Sequence, residues 1–138
     1  MKIEYTEKIT SNIIDKMSKG LTEYEQQHSI DIRFKPFAFL LFDEHKTVFG
    51  VLNAYTAFSE VYIEDLWIDK SVRNQGYGKK LIQTLEESFK NKGYNNINLV
   101  TNAFQAPEFY TKCGYQIEFI RENKKNPKLT KTFFIKYF

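Results

Sequence analysis

One cysteine, three prolines, six glycines and one tryptophan in 138 residues rule out several kinds of protein at once. Cys113 alone cannot form an internal disulfide, and it offers no Cys/His spacing that would hold a metal. No apolar run approaches the roughly twenty residues that span a bilayer, and the opening MKIEYTEKIT is too polar for a signal peptide. A membrane is therefore not an expected partner, and a cytoplasmic location is expected by elimination. Neither sign of charge dominates: 20 Lys and Arg against 17 Asp and Glu leave a net +3, far from the dense basic patch of a nucleic-acid binder. No repeat, low-complexity tract or Pro/Gly-rich linker interrupts the chain, which predicts a single domain over residues 1–138.

What is present is ordinary globular composition, 42% hydrophobic and 27% charged, with an aromatic share of 17%. Thirteen Phe and nine Tyr suggest a sheet-rich fold with aromatic pairs in its core. KIEYT reads as a short opening strand. From Thr10 to Gln27, Ile13, Ile14, Met17, Leu21 and Tyr24 recur at the helical period, with Gly20 expected to break the segment into two helices. FAFLLFDEHKTVFGVLNAYTAF reads as two strands around a polar turn at Asp43–Lys46, and EVYIEDLWID as a third. The Phe-rich part of this region (Phe34, Phe37, Phe39, Phe42, Phe49) reads as core.

GKKLIQTLEESFKNKG carries one apolar stripe, Leu81, Ile82, Leu85 and Phe89, and ends near Gly93, so it reads as an amphipathic helix. INLVT follows as a short strand. A helix between two strands makes a βαβ unit, so 61–69 and 96–102 should lie parallel. APEFYTKCG reads as a short helix, and YQIEFIREN with KTFFIKYF as a hairpin whose aromatic C-terminal strand offers a dimer edge. The fold class is mixed α/β, a mostly antiparallel sheet with one parallel step, flanked by helices.

Two of the six glycines fall in VRNQGYGKKL, between a strand and the most regular helix. A helix opening there exposes unpaired backbone N–H groups and a partial positive charge, and glycines let the backbone approach a ligand closely. The result is a cradle for phosphate, with Arg73, Lys79 and Lys80 adding charge. The dinucleotide fingerprint fails because its third glycine would fall on Leu81, and the nucleotide P-loop fails on spacing and on its Lys-Ser/Thr pair.

Arg73-Asn74-Gln75-Gly76-Tyr77-Gly78 instead matches the Arg/Gln-x-x-Gly-x-Gly/Ala motif of the GNAT superfamily of acyl-CoA N-acyltransferases. Further on, QAPEFYTKCGY is similar to that family's Ala-x-x-x-Tyr-x-x-x-Gly-Phe/Tyr signature. The resemblance covers 61–115 in motif and order. It implies acetyl-CoA as co-substrate, no metal, and an amine-bearing acceptor, a small molecule or peptide, attacking the thioester directly in a ternary complex. A non-catalytic acyl-CoA sensor on the same fold is the alternative. The pantetheine arm is expected along the backbone of Leu66, Trp67 and Ile68 where two parallel strands splay. The diphosphate is expected on the amides of Arg73, Asn74, Gln75, Gly76, Tyr77, Gly78 and Lys79, with the Arg73 side chain either contacting phosphate or bracing the loop.

Asn102 is carried over as a cofactor contact, although many members place an Asn at the position held here by Ala103. Tyr110 matches the tyrosine expected to donate to the leaving thiolate. For the base, members differ between a strand carboxylate and a water chain. Counting back from Ile68 by twos puts Tyr62, Glu64 and Leu66 on one face, which favours Glu64, although a bulge would exchange it with Asp65. Cys113 reads as packing, and His28 and His45 as exposed.

Overall fold

The computed structural model describes residues 1–138, which divide into two compact units, Met1–Arg33 and Phe34–Phe138. The first unit holds one helix, α1 (Ser11–Gln27). The expected opening strand is not formed, and the expected break at Gly20 does not occur. Glycine inside a helix costs only about 1 kcal/mol relative to alanine, too little to stop one carried by good helix formers on both sides. The helix stops in a Schellman turn instead. Ser29, at φ +57°, donates its N–H to Gln26 O, while Ile30 donates to Glu25 O at 2.9 Å. No helix of the protein is long and apolar enough to cross a membrane.

The second unit is a six-stranded sheet with order β1-β2-β3-β4-β6-β5. Its strands are β1 (Lys35–Phe42), β2 (Val48–Ala57), β3 (Glu60–Ile68), β4 (Asn96–Asn102), β5 (Gln116–Arg121) and β6 (Lys131–Tyr137). Every neighbouring pair is antiparallel except β3–β4, as the βαβ reading requires. Between those two strands runs α2 (Tyr77–Phe89), and between β4 and β5 the five-residue α3 (Glu108–Lys112). The C-terminal strand β6 lies inside the sheet, between β4 and β5, so it is not the open edge expected of it; the edge strands are β1 and β5. A returning hairpin strand shielded by its own partner explains the difference.

The core forms where α2 lays its apolar stripe on the sheet. Leu81, Ile82 and Leu85 are buried against Leu52, Ala54, Val61, Ile63 and Ile97. Phe89 extends the stripe and stacks on Phe37 with ring centroids 4.9 Å apart. Of the aromatic run, Phe37 and Phe39 pack on the core, whereas Phe34 and Phe42 are exposed. Alternation sorts them: Phe37 and Phe39 share the inner face of β1, and Phe42 lies past an irregularity between Leu41 and Phe42. Phe42 packs beneath the Lys46 ammonium, 4.2 Å from its ring centroid. His45 is exposed, and half-buried Cys113 packs against the core.

Two irregularities of β3 prepare the site. Its pairing with β4 covers Glu60–Asn96, Val61–Ile97 and Tyr62–Asn98 and then ceases, although both strands continue. One residue later β3 carries a bulge. Asp65 faces Asn53 and Ile63 faces Ala54, so Glu64 is the extra residue.

Candidate active site

The bulge resets which side chains share a face. Val61 and Ile63 point into the core, and beyond Glu64 the inward positions become Leu66 and Ile68. Tyr62 and Leu66 therefore stand on opposite faces, which overturns the count by twos. Tyr62, Asp65 and Trp67 oppose Tyr55, Asn53 and Val51 on the outer face. The apolar spacing 61, 63, 66, 68 carries this reset in the sequence, as two steps of two separated by one of three.

After β3 the chain makes a 3-10 turn, Lys70–Val72, capped by Asp69. The Asp69 carboxylate accepts from Ser71 N at 2.8 Å and Ser71 Oγ at 2.5 Å, and these bonds hold its pKa below the usual carboxylate value. Arg73 then turns back and donates Nε–H to Ile68 O at 2.9 Å, bracing the loop against the strand end. Of the two side-chain roles expected of Arg73, this is the bracing one. Asn74 (φ +60°) and Gly76 (φ +84°) both take left-handed backbone, curling the chain into the first turn of α2. Gly76 is needed for that conformation, since nothing crowds the place where its Cβ would stand. Gly78 is different: a Cβ there would meet Phe109 Cζ at 3.2 Å.

Opposite the loop, β4 ends in a capping box. Asn102 N–H and Nδ2–H both donate to Gln105 Oε1, at 3.0 and 3.1 Å. Asn102 is thus spent on the local turn. Ala106 follows at φ +56°, and α3 carries Phe109 and Tyr110 inward. Tyr110 is 9% exposed and packs among Phe109, Tyr115 and Phe134. Burial, then the neighbouring Cys113 and Asp65, push its hydroxyl up to about 12.

These parts enclose a cleft of about 650 Å³. Leu66 and Ile68 line it from β3, and Arg73, Asn74 and Gly76 from the loop. Tyr77, Gly78 and Lys79 line it from α2, and Tyr110 from α3. Trp67, Gln75, Asn102 and Glu64 do not line it. Val72, Gln105, Ala106 and Phe109 do, and were not singled out as site residues. For three of them the signal was present, since Gln105, Ala106 and Phe109 belong to the segment that carries the tyrosine signature.

Glu64 lies instead at the bulge, where its Oε2 accepts from Asn53 Nδ2 at 3.0 Å. The same nitrogen donates to Asp65 Oδ2 at 3.3 Å. On the same face the Tyr55 and Tyr62 rings lie 5.2 Å apart. The Tyr62 hydroxyl is raised above its ordinary pKa, first by burial and then by Tyr55, Glu64 and Asp65.

A strand edge left open beside a helix N-terminus can take an extended polar chain along the first and an anion on the second. Comparison with known proteins bears on the family and the fold. Over 69 residues the chain is 30% identical to blasticidin-S acetyltransferase of Streptomyces morookaense, covering 49% of this chain and 51% of that one. It thus spans about half the length of that relative. An acetyltransferase from Bacillus cereus ATCC 14579 is 28% identical, with 98% of each chain covered and a TM-score of 0.79. An aminoglycoside 6'-N-acetyltransferase, solved with coenzyme A bound, shares the fold at 18% identity and a TM-score of 0.63, over 99% of this chain and 97% of that one. Residues 7–115 match the acetyltransferase (GNAT) family profile, and the chain belongs to that family.

Proposed function

We propose that this protein is an N-acetyltransferase, one domain over residues 1–138, that moves the acetyl group of acetyl-CoA onto a primary amine by direct attack. The observation that carries the reading is the single cleft joining the unpaired edge of β3, the Arg73–Lys79 loop and Tyr110. The open backbone of Leu66–Ile68 takes the pantetheine arm as an added strand. The amides of Gly76–Lys79 hold the diphosphate, with the Lys79 ammonium at the rim.

In the transfer, the amine nitrogen bonds to the thioester carbon, the C–S bond breaks, and the amine gives up a proton. An alkyl amine of pKa about 10.4 is mostly protonated at neutral pH, and freeing it costs roughly 4.6 kcal/mol. The carboxylates of Glu64 and Asp65, at the head of the gap, receive that proton directly or through water. A backbone N–H near Ile68 faces the developing oxyanion.

Tyr110 donates a hydrogen bond to the leaving sulfur. Its pKa of about 12 keeps it protonated at neutral pH. Outright transfer to a thiolate near 8.5 is uphill by roughly 3.5 pKa steps, or about 5 kcal/mol, so the hydroxyl stabilises the charge and solvent supplies the final proton.

Because two of the similar proteins are a blasticidin-S and an aminoglycoside acetyltransferase, amines of those two classes head the screen, with polyamines, amino acids and peptide N-termini behind them. Titration calorimetry with acetyl-CoA should show binding that Gly76→Glu abolishes, and the amine screen should release free thiol. No heat with any acyl-CoA overturns the reading. Binding without thiol release across the screen moves it to a non-catalytic acyl-CoA sensor.

A further inference from the structure

We propose that Asn53 is a positioning residue for the acyl transfer: its side-chain amide holds Glu64 and Asp65 together at the bulge and aims the pair at the open seam beside Tyr110. The inference rests on the N-acetyltransferase reading and goes beyond it by naming what fixes the base.

Neighbouring residues of a regular strand point to opposite faces, so adjacent acids such as Glu64 and Asp65 should diverge. The bulge removes that divergence by setting two residues of β3 against one of β2, and the one is Asn53. Its Nδ2 carries two hydrogens, and the two carboxylates accept from it at 3.0 and 3.3 Å. Each carboxylate gives up one acceptor site and keeps the rest for a proton.

The choice of a neutral donor matters. A lysine or arginine there would also bind both acids, but its charge would lower their affinity for a proton. A carboxamide fixes geometry without adding a charge. Asn53 faces outward between the inward-facing, fully buried Leu52 and Ala54, so its carboxamide lies on the face that carries the acids.

The location suits the task. The bulge falls between Tyr62, the last residue paired with β4, and Leu66, the first of β3 to line the cleft. Asp65 immediately precedes Leu66, so the pair stands at the point where the cleft begins.

Two readouts test the assignment, one of which needs no turnover. In the full-length protein, both side-chain amide protons of Asn53 should shift in NMR spectra as the carboxylates titrate. Glu64→Gln should remove the response of one proton and Asp65→Asn that of the other. Amide shifts that stay flat through the carboxylate range would overturn the proposal. With an acceptor from the amine screen, Asn53→Ala should lower kcat about ten- to a hundredfold, the usual scale for a misaimed reacting group. Acetyl-CoA affinity should stay within twofold, and Asn53→Gln, which keeps the carboxamide, should recover part of the rate. Wild-type kcat in a folded Asn53→Ala protein would remove Asn53 alone. An intact amide response with no turnover of any amine would remove the acyl-transfer reading, and the positioning role with it.

Discussion

The backbone of Gly78 abuts the ring of Phe109, so closely that a Cβ on the glycine would stand 3.2 Å from Cζ and 3.4 Å from Cε2. The two loop glycines thus serve different ends, one conformational and one steric. Gly78→Ala should displace Phe109 into the cleft and weaken acetyl-CoA about tenfold. Its stability should change little, because the 0.5–1 kcal/mol or so that alanine contributes inside a helix offsets the contact. Gly76→Ala meets no neighbour but must hold left-handed backbone, at about 1–2 kcal/mol. Calorimetry and urea unfolding of both variants separate the effects; equal affinity losses with equal stability losses would refute the division.

Tyr110 gives a kinetic and a pH prediction. Tyr110→Phe should lower kcat while acetyl-CoA affinity holds within about twofold. The raised pKa also links this residue to stability. The folded hydroxyl ionises near 12 and the unfolded one near 10, so its contribution is fully present below pH 10 and lost as pH climbs through 12. Over that window the wild type should lose on the order of 2–3 kcal/mol that Tyr110→Phe does not lose. Unfolding curves at pH 9, 10 and 11 check the slope.

Tyr115 is a third case. It is 3% exposed, and its hydroxyl faces the Glu86 carboxylate without forming a hydrogen bond of good geometry. Glu86 is engaged instead with Lys136 Nζ at 2.9 Å, which also donates to Cys113 O. Burying an unsatisfied hydroxyl is unfavourable, so Tyr115→Phe should stabilise the protein by about 1 kcal/mol in urea unfolding. A loss of that size would show that the hydroxyl is bonded after all.

Gly20 sits at an interior position of α1 with open space where its Cβ would be. Gly20→Ala should add about 0.5–1 kcal/mol and raise the helical signal in circular dichroism. An unchanged helix signal with lower stability would mean that the glycine is needed for the continuous helix.

Long-range pattern was more legible than local exceptions. The apolar stripe Leu81–Ile82–Leu85 placed α2, and the strand–helix–strand order placed the parallel pair, because both follow from periods repeated over many residues. The face of Glu64 was not legible by alternation alone, since one inserted residue inverts everything after it. The continuity of α1 through Gly20 was misjudged because a propensity of about 1 kcal/mol is small beside the cooperativity of a long helix. Asn102 was placed by family likeness, yet its amide is taken up by Gln105, a contact no spacing announces. Asn53 was invisible because its meaning depends on a partner strand in register with the bulge.

Beyond Tyr62 and Asn98 the sheet comes apart along one seam, leaving β3 with backbone groups turned toward no strand. A ligand laid into that seam acts as a detachable strand and knits the two half-sheets together. At a concentration a hundredfold above its dissociation constant it would add about 2.7 kcal/mol of cohesion. Amide exchange along Ile63–Ile68 would then slow as ligand supply rises and quicken as it falls, making the durability of the chain a gauge of what the seam contains.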